Sequence, residues 1–296
     1  MDKSLGSSKL FRILIPLLLI VVLIGVFSDW IIEWMWLDNL GYDQVFWTIK
    51  ITQALLLISS LVIALIYVLP NMGKLGKKFS TMHFGQSPLA QLKLHEIDAK
   101  KIKTVFYGAG AAISVFFSLA FFMRWDTYFR FHWSEMFGQI DPVFGHDIGF
   151  YVFRLPFLEL IQNSLTSLVF FITLGIIILY IYSGALSLQS IRNLSASKDV
   201  KKHIFINLGI WFLLLSWGYY LERYNLLYNS TGAVYGASYV DINIQLPVIW
   251  LLCGLTFLMG LFSFFQLYKD RFKWIVYAAA GTILIGVIGN GLLPGM

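Results

Sequence analysis

Charge is scarce in this chain. Of 296 residues, 13% are charged and 58% are hydrophobic, against about 25% charged in an average soluble domain. With a mean hydropathy of +0.73, that deficit puts the chain in the membrane class before any motif is read. Cysteine is scarcer: Cys253 stands alone inside an apolar run, which excludes an internal disulfide and a thiolate metal cluster. Phosphate-binding G-x-x-x-x-G-K-[ST] loops, dinucleotide fingerprints, nucleophile elbows and H-E-x-x-H pairs are all missing from the sequence, so no cofactor is expected.

What is present is a series of long apolar runs. Seven are long enough to cross about 30 Å of hydrocarbon: 10–30, 48–69, 104–123, 157–186, 204–221, 247–267 and 274–292. They are continuous, whereas barrel strands alternate over about ten residues. The fold expected is therefore an all-α membrane protein of seven transmembrane helices, a single domain over 1–296.

The charges alternate with the spans. Placing the N-terminus inside puts 17 of the 22 Lys and Arg residues in inner segments and 11 of the 16 Asp and Glu residues in outer ones. The positive-inside rule then predicts an N-in/C-out topology in the cell membrane. The same sorting explains the net charge of +6 without nucleic acid. It makes membrane lipids, and anionic inner-leaflet lipid at the basic loops, the expected partners.

Between spans, Asp29 to Gln44 mixes Trp30, Trp34, Trp36 and Tyr42 with Asp29, Glu33, Asp38 and Asp43, the pattern of an interfacial anchor. Pro70, Gly73 and Gly76 predict an early helix end before a basic inner loop over 70–103. Arg124 to Ile140 carries apolar residues at helical spacing and predicts an amphipathic helix at the outer interface, within an outer loop 124–156. A second outer loop is expected over 222–246. There Asn229-Ser230-Thr231 matches the glycosylation sequon, a pattern of low specificity, and Pro247 would open the next span.

The densest polar stretch is Asp141 to Phe157, DPVFGHDIGFYVFRLPF. Asp141, His146 and Asp147 are candidate metal ligands or proton relays by residue type. Their spacing argues against this, because neighbours on an extended strand point to opposite faces. Turn and cap roles for the two Asp residues are favoured instead, with an extended piece from Ile148 to Phe153 and a span opening at Pro156. Other candidate functional residues outside are Asp43, Glu222, Arg223 and Asp241. Gly-Tyr-Asp at 41–43, Gly-His-Asp at 145–147 and Tyr-Val-Asp at 239–241 recur before returning spans, and two of these reach Leu-Pro at 155–156 and 246–247. No Asp, Glu, Lys or Arg lies mid-span, which weighs against a proton-coupled carrier or an Arg-driven voltage sensor.

These segments also carry a resemblance. WLDNLGYDQVFWT at 36–48, DPVFGHDIGFYVFRLPF at 141–157 and YLERYNLLYNSTGAVYGASYVDINIQLP at 220–247 resemble uncharacterised protein family 0182, a group of bacterial and archaeal integral membrane proteins. The resemblance implies a seven-span membrane region followed by a large extracytoplasmic region. It brings no assigned activity and so no catalytic residues. The expected function is a non-enzymatic module that anchors or organises an extracytoplasmic domain, a homo-oligomer or another extracytoplasmic partner. The alternative is a transporter or channel for ions or small or lipidic solutes.

Overall fold

The computed structural model describes residues 4–81, 98–188, 194–228 and 236–269. Spans expected over 10–30, 48–69, 104–123, 157–186, 204–221 and 247–267 fall on helices. The run 274–292 and the sequon lie outside the described residues. Among the described residues, five helices are long and apolar enough to cross a membrane. Contacts divide the chain between Ile58 and Ser59, and the two units are taken separately.

In the first unit, α1 (Ser4–Asn39) continues through Pro16 and through the aromatic segment from Asp29. It then turns at Gly41 (φ +78°) into α2 (Asp43–Thr81). The turn is a Schellman motif: the Tyr42 N–H reaches the Leu37 carbonyl at 2.8 Å and the Gly41 N–H reaches Asp38 at 2.9 Å, which satisfies carbonyls the helix end leaves orphaned. Lys50 is held at 2.7 Å from Glu33 and 5.2 Å from the centroids of both Trp30 and Phe46.

The second unit is an antiparallel helix group. The far half of α2 is joined by α3 (Ala99–Met123), α5 (Leu155–Tyr182), α6 (Lys198–Asn225) and α7 (Leu246–Lys269). Short α4 (Trp125–His132) precedes the α4–α5 loop. A three-residue ladder, β1 (Leu186–Leu188) with β2 (Leu194–Ala196), joins α5 to α6. The group thus has a loop end, where α5 and α7 begin, and a hairpin end. Its core runs through Val68, Met72 and Leu75 of α2, Ile172, Ile176 and Tyr180 of α5, and Val200 and Ile204 of α6. Large apolar side chains also face outward, among them Phe116, Ile66 and Phe171, as lipid contact requires.

In lipid, apolar burial gives helices little reason to associate, so small residues and interhelical hydrogen bonds take over. α6 and α7 meet where a Cβ on Gly260 would lie 2.8 Å from Leu213 and 3.2 Å from the Gly209 carbonyl oxygen. Ser216 donates to the Cys253 carbonyl at 2.9 Å and Ser263 to the Phe205 carbonyl at 3.0 Å.

Several expectations need correction. α2 does not stop near Pro70; it runs on to Thr81, so 70–81 is helix rather than loop. Gly73 and Gly76 serve close approach there: a Cβ on Gly73 would meet the Tyr107 hydroxyl at 2.6 Å, and one on Gly76 the Lys103 Cα at 3.3 Å. Beside the proline, the Asn71 amide donates to the Tyr67 carbonyl at 2.7 Å. The amphipathic helix expected over Arg124–Ile140 is only the eight residues of α4.

Candidate functional site

The stretch from Trp133 to Gly149 folds into a cap over the loop end. Asp141 begins it: its carbonyl accepts from Gly145 at 3.1 Å, and its N–H reaches the His146 carbonyl at 2.9 Å. Pro142 follows it, and Gly145 closes the turn at φ +72°. One carboxylate oxygen of Asp141 accepts the N–H groups of Val143 and Phe144, both at 2.8 Å. The other accepts the His146 N–H at 3.0 Å and the Tyr151 hydroxyl at 2.6 Å. Burial works to raise the Asp141 pKa, but the bonds from Tyr151, Phe144, His146 and Val143 outweigh it and hold the carboxyl below its ordinary value.

Asp147 fastens the other side. Its carboxylate accepts from Phe137 (2.9 Å), Gly138 (2.8 Å) and Gly149 (2.7 Å). These bonds, led by that from Phe137, depress its pKa as well. Gly149 has no room for a side chain: a Cβ there would sit 2.1 Å from the Glu135 carbonyl oxygen. Phe137 stacks on Phe153 at 5.7 Å and 10°, and the Arg154 Nε donates to Ser134 at 3.0 Å.

After the cap the backbone is helical, not extended as expected over Ile148–Phe153. A π turn, Phe150–Arg154, leads into α5, and a second one, Asp241–Gln245, leads into α7. Each is followed by Leu-Pro. A proline inside a continuous helix cannot donate to the carbonyl four residues back. The wider turn before it adjusts the ladder, with Leu155 and Leu246 donating to Phe150 and Asp241. Pro156 and Pro247 lie in the first turn of α5 and α7, as expected, but the backbone ahead of each is already helical. The recurrence in the sequence reflects a shared backbone device, although the Asp residues differ in role. Asp241 forms a reciprocal cap with Ser238, the Ser238 N–H reaching its carboxylate at 2.7 Å and its own N–H reaching the Ser238 hydroxyl at 3.2 Å. Asp43 lies in the first turn of α2, where the macrodipole favours an acid.

The cap is docked on the end of α6. His146 Nε2 lies 3.1 Å from the Tyr224 hydroxyl, to which Arg223 donates. The Arg223 guanidinium sits among Tyr220, Tyr224, Trp250 and Phe144, at 4.0, 4.5, 4.9 and 5.6 Å from the ring centroids. Glu222 instead faces a cleft of about 410 Å³ between α5 and α6, with Glu159, Gln162, Asn163 and Asn225. The predicted residues thus separate. His146 and Arg223 meet through Tyr224, and Asp141 joins them through Tyr151, whose ring packs against Tyr224. Asp147, Asp241 and Glu222 lie elsewhere in the second unit, and Asp43 belongs to the first. Among the described residues, no three His, Cys, Asp or Glu side chains form a group able to hold a metal ion.

A second polar assembly escapes a census of charged residues. His203 and Asn207 of α6, Asn71 and Tyr67 of α2, and Tyr180 of α5 form a chain across the helix group. The Tyr180 hydroxyl lies 2.8 Å from His203 Nδ1, His203 Nε2 lies 2.7 Å from the Asn71 side-chain oxygen Oδ1, and the Asn207 amide donates to that same oxygen at 2.9 Å. The Tyr67 hydroxyl completes it by donating to Asn207. His203 and Asn207 are 3% and 1% exposed, so each group must find its partner inside the protein. The signal was legible as two i, i+4 pairs, Tyr67/Asn71 and His203/Asn207, each on one helix face.

A polar cap and an internal polar chain, carried by helices long and apolar enough to cross a membrane, define a helical protein of membrane type. The chain belongs to the Uncharacterised protein family (UPF0182), whose family model matches residues 10–296. It is similar to a UPF0182 protein of Salinibacter ruber, 29% identical over 99% of this chain and 31% of the relative. Relatives from Bradyrhizobium diazoefficiens (26% identical, 94% of this chain, 30% of the relative) and Desulfitobacterium hafniense (29%, 95% and 30%) match similarly. The chain spans under a third of the length of these curated relatives. No solved structure matches it.

Proposed function

We propose that this chain is a seven-span, N-in/C-out membrane module of the cell membrane. It is non-enzymatic and presents the cap at 133–149, outside, as a rigid platform that organises an extracytoplasmic domain or partner. The observation that carries this reading is the use made of the cap's polar groups. The carboxylates of Asp141 and Asp147 are both committed to the cap's own backbone N–H groups, which suits a shaped surface better than a reacting centre. The second unit supports the orientation. Lys74, Lys77, Lys78, Lys198, Lys201 and Lys202 stand at the hairpin end and Asp126, Glu135, Asp141, Asp147, Glu159 and Asp241 at the loop end, as the positive-inside rule asks. The relatives' greater length supplies a further region for the module to organise.

The topology is tested by labelling single cysteines in a Cys253→Ser background of intact cells with a membrane-impermeant maleimide. Val143→Cys labels from outside, and Lys198→Cys labels only after permeabilisation; the reverse pattern refutes the orientation. One observation favours transport as a second reading: the polar chain from Tyr180 to Tyr67 lies inside helices long enough to span. Proteoliposomes decide between the two. Solute or ion flux above that of protein-free vesicles, and lost in Asn71→Leu, would replace the platform reading with transport.

A further inference from the structure

At the hairpin end, α2 and the first turns of α6 enclose a cavity of about 550 Å³, within the range of small-ligand sites. Four lysines line it against one carboxylate: Lys74, Lys77 and Lys78 of α2, and Lys202 beside Asp199 on α6. The three lysines of α2 are spaced i, i+3, i+4, so they share one face and repel one another. α6 also opens here with its positive dipole end, and its N-cap residue, Ser197, makes no side-chain cap bond. The floor is fixed by the buried polar chain. His203 uses Nδ1 toward Tyr180 and Nε2 toward Asn71, so its position is set by two neighbouring helices rather than by a ligand. Ile206 and Val200 add an apolar flank.

We infer that this cavity binds a phosphate-bearing anion, with Lys74 and Lys202 as its principal contacts from opposite walls. A phosphate offers several acceptor oxygens and one or two negative charges, which matches converging ammonium donors at a helix N-terminus. A phospholipid headgroup and a soluble phosphate share this chemistry. The lipid source rests on the topology proposed above, because a basic pocket between spans on the cytoplasmic side faces the anionic leaflet. The soluble source does not.

The test uses the full chain purified in zwitterionic detergent and in nanodiscs. Inorganic phosphate is titrated against chloride at equal ionic strength, with thermal unfolding as the readout. Phosphatidylglycerol retention is compared with phosphatidylcholine retention by native mass spectrometry. Lys74→Gln and Lys202→Gln each weaken the response to the effective probe about tenfold, while Lys100→Gln with Lys101→Gln, the same charge removed twice over on α3, leaves it unchanged. Lys74→Arg with Lys202→Arg retains it. A response to phosphatidylglycerol alone identifies the headgroup; a response to inorganic phosphate with the same dependence on Lys74 and Lys202 identifies a soluble anion. Equal responses of the native chain and both Lys→Gln variants to every probe overturn the site. If circular dichroism shows either Lys→Gln variant to be unfolded, the Lys→Ala change at the same position takes its place. The detergent arm does not depend on orientation, so a reversed topology in the labelling experiment and an empty cavity here are separate failures.

Discussion

Gly149 is where a single atom decides the local structure. Its missing Cβ lets the Glu135 carbonyl approach to a distance no side chain could share, and its N–H is one of three that Asp147 holds. Gly149→Ala is expected to cost about 4 kcal/mol, at the upper end for a single substitution, because the clash is with backbone and cannot be relieved by a rotamer. Thermal unfolding in detergent checks this, with Gly108→Ala, in open space within α3, as a comparison that should not destabilise, since alanine is the better helix former. The two carboxylates make the cap acid-sensitive. Both have folded pKa values below the ordinary Asp value, so their stabilisation is complete above about pH 4. It is lost as pH falls through the depressed folded values. Asp141→Asn with Asp147→Asn should remove that acid limb, read as the melting temperature from neutral pH downward. An unaltered limb in the double variant would place the acid sensitivity elsewhere.

At the scale of elements, helix pairing rests on absent side chains and on polar bonds between helices. Gly260→Leu would force Leu213 and the Gly209 backbone apart and is expected to cost about 1–3 kcal/mol, as overpacking does; Gly254→Leu, which meets nothing within 4 Å, should cost far less. The buried chain sets the register of α2 against α6. Asn207→Leu leaves the Tyr67 hydroxyl without its acceptor and leaves the Asn71 side-chain oxygen to His203 alone, a loss of about 1–3 kcal/mol for the stranded hydroxyl. Asn207→Asp keeps the acceptor for Tyr67 but loses the amide, and should fall between. The paired π turns belong to this scale too. Each widens the helix just before a proline, so α5 and α7 continue from the segments preceding them instead of starting afresh.

Within the second unit, the antiparallel order gathers lysines at one end and most of the acids at the other, which is what makes one cavity basic and the opposite cleft acidic. Neither is visible in a linear charge count, because Lys74 and Lys202 are 128 positions apart in the sequence and only the packing of α2 beside α6 makes them neighbours. The curated relatives that this chain matches are about three times its length.

Hydropathy, composition and local turn chemistry were enough to determine the helical class, the six described runs that are helices, and the turn-forming roles of Asp141 and Asp147. Those properties are local, set by a few neighbouring residues or by the average polarity of a segment. The continuation of α2 past Pro70 and the helical path through Ile148–Phe153 were decided by tertiary contacts, since a proline or glycine breaks a helix only where nothing else holds it. The same is true of the docking of His146 on Tyr224, the rings around Arg223 and the chain from Tyr180 to Tyr67. Each joins residues far apart in sequence, and their partners follow from which helix faces meet, a matter of packing that no single segment encodes.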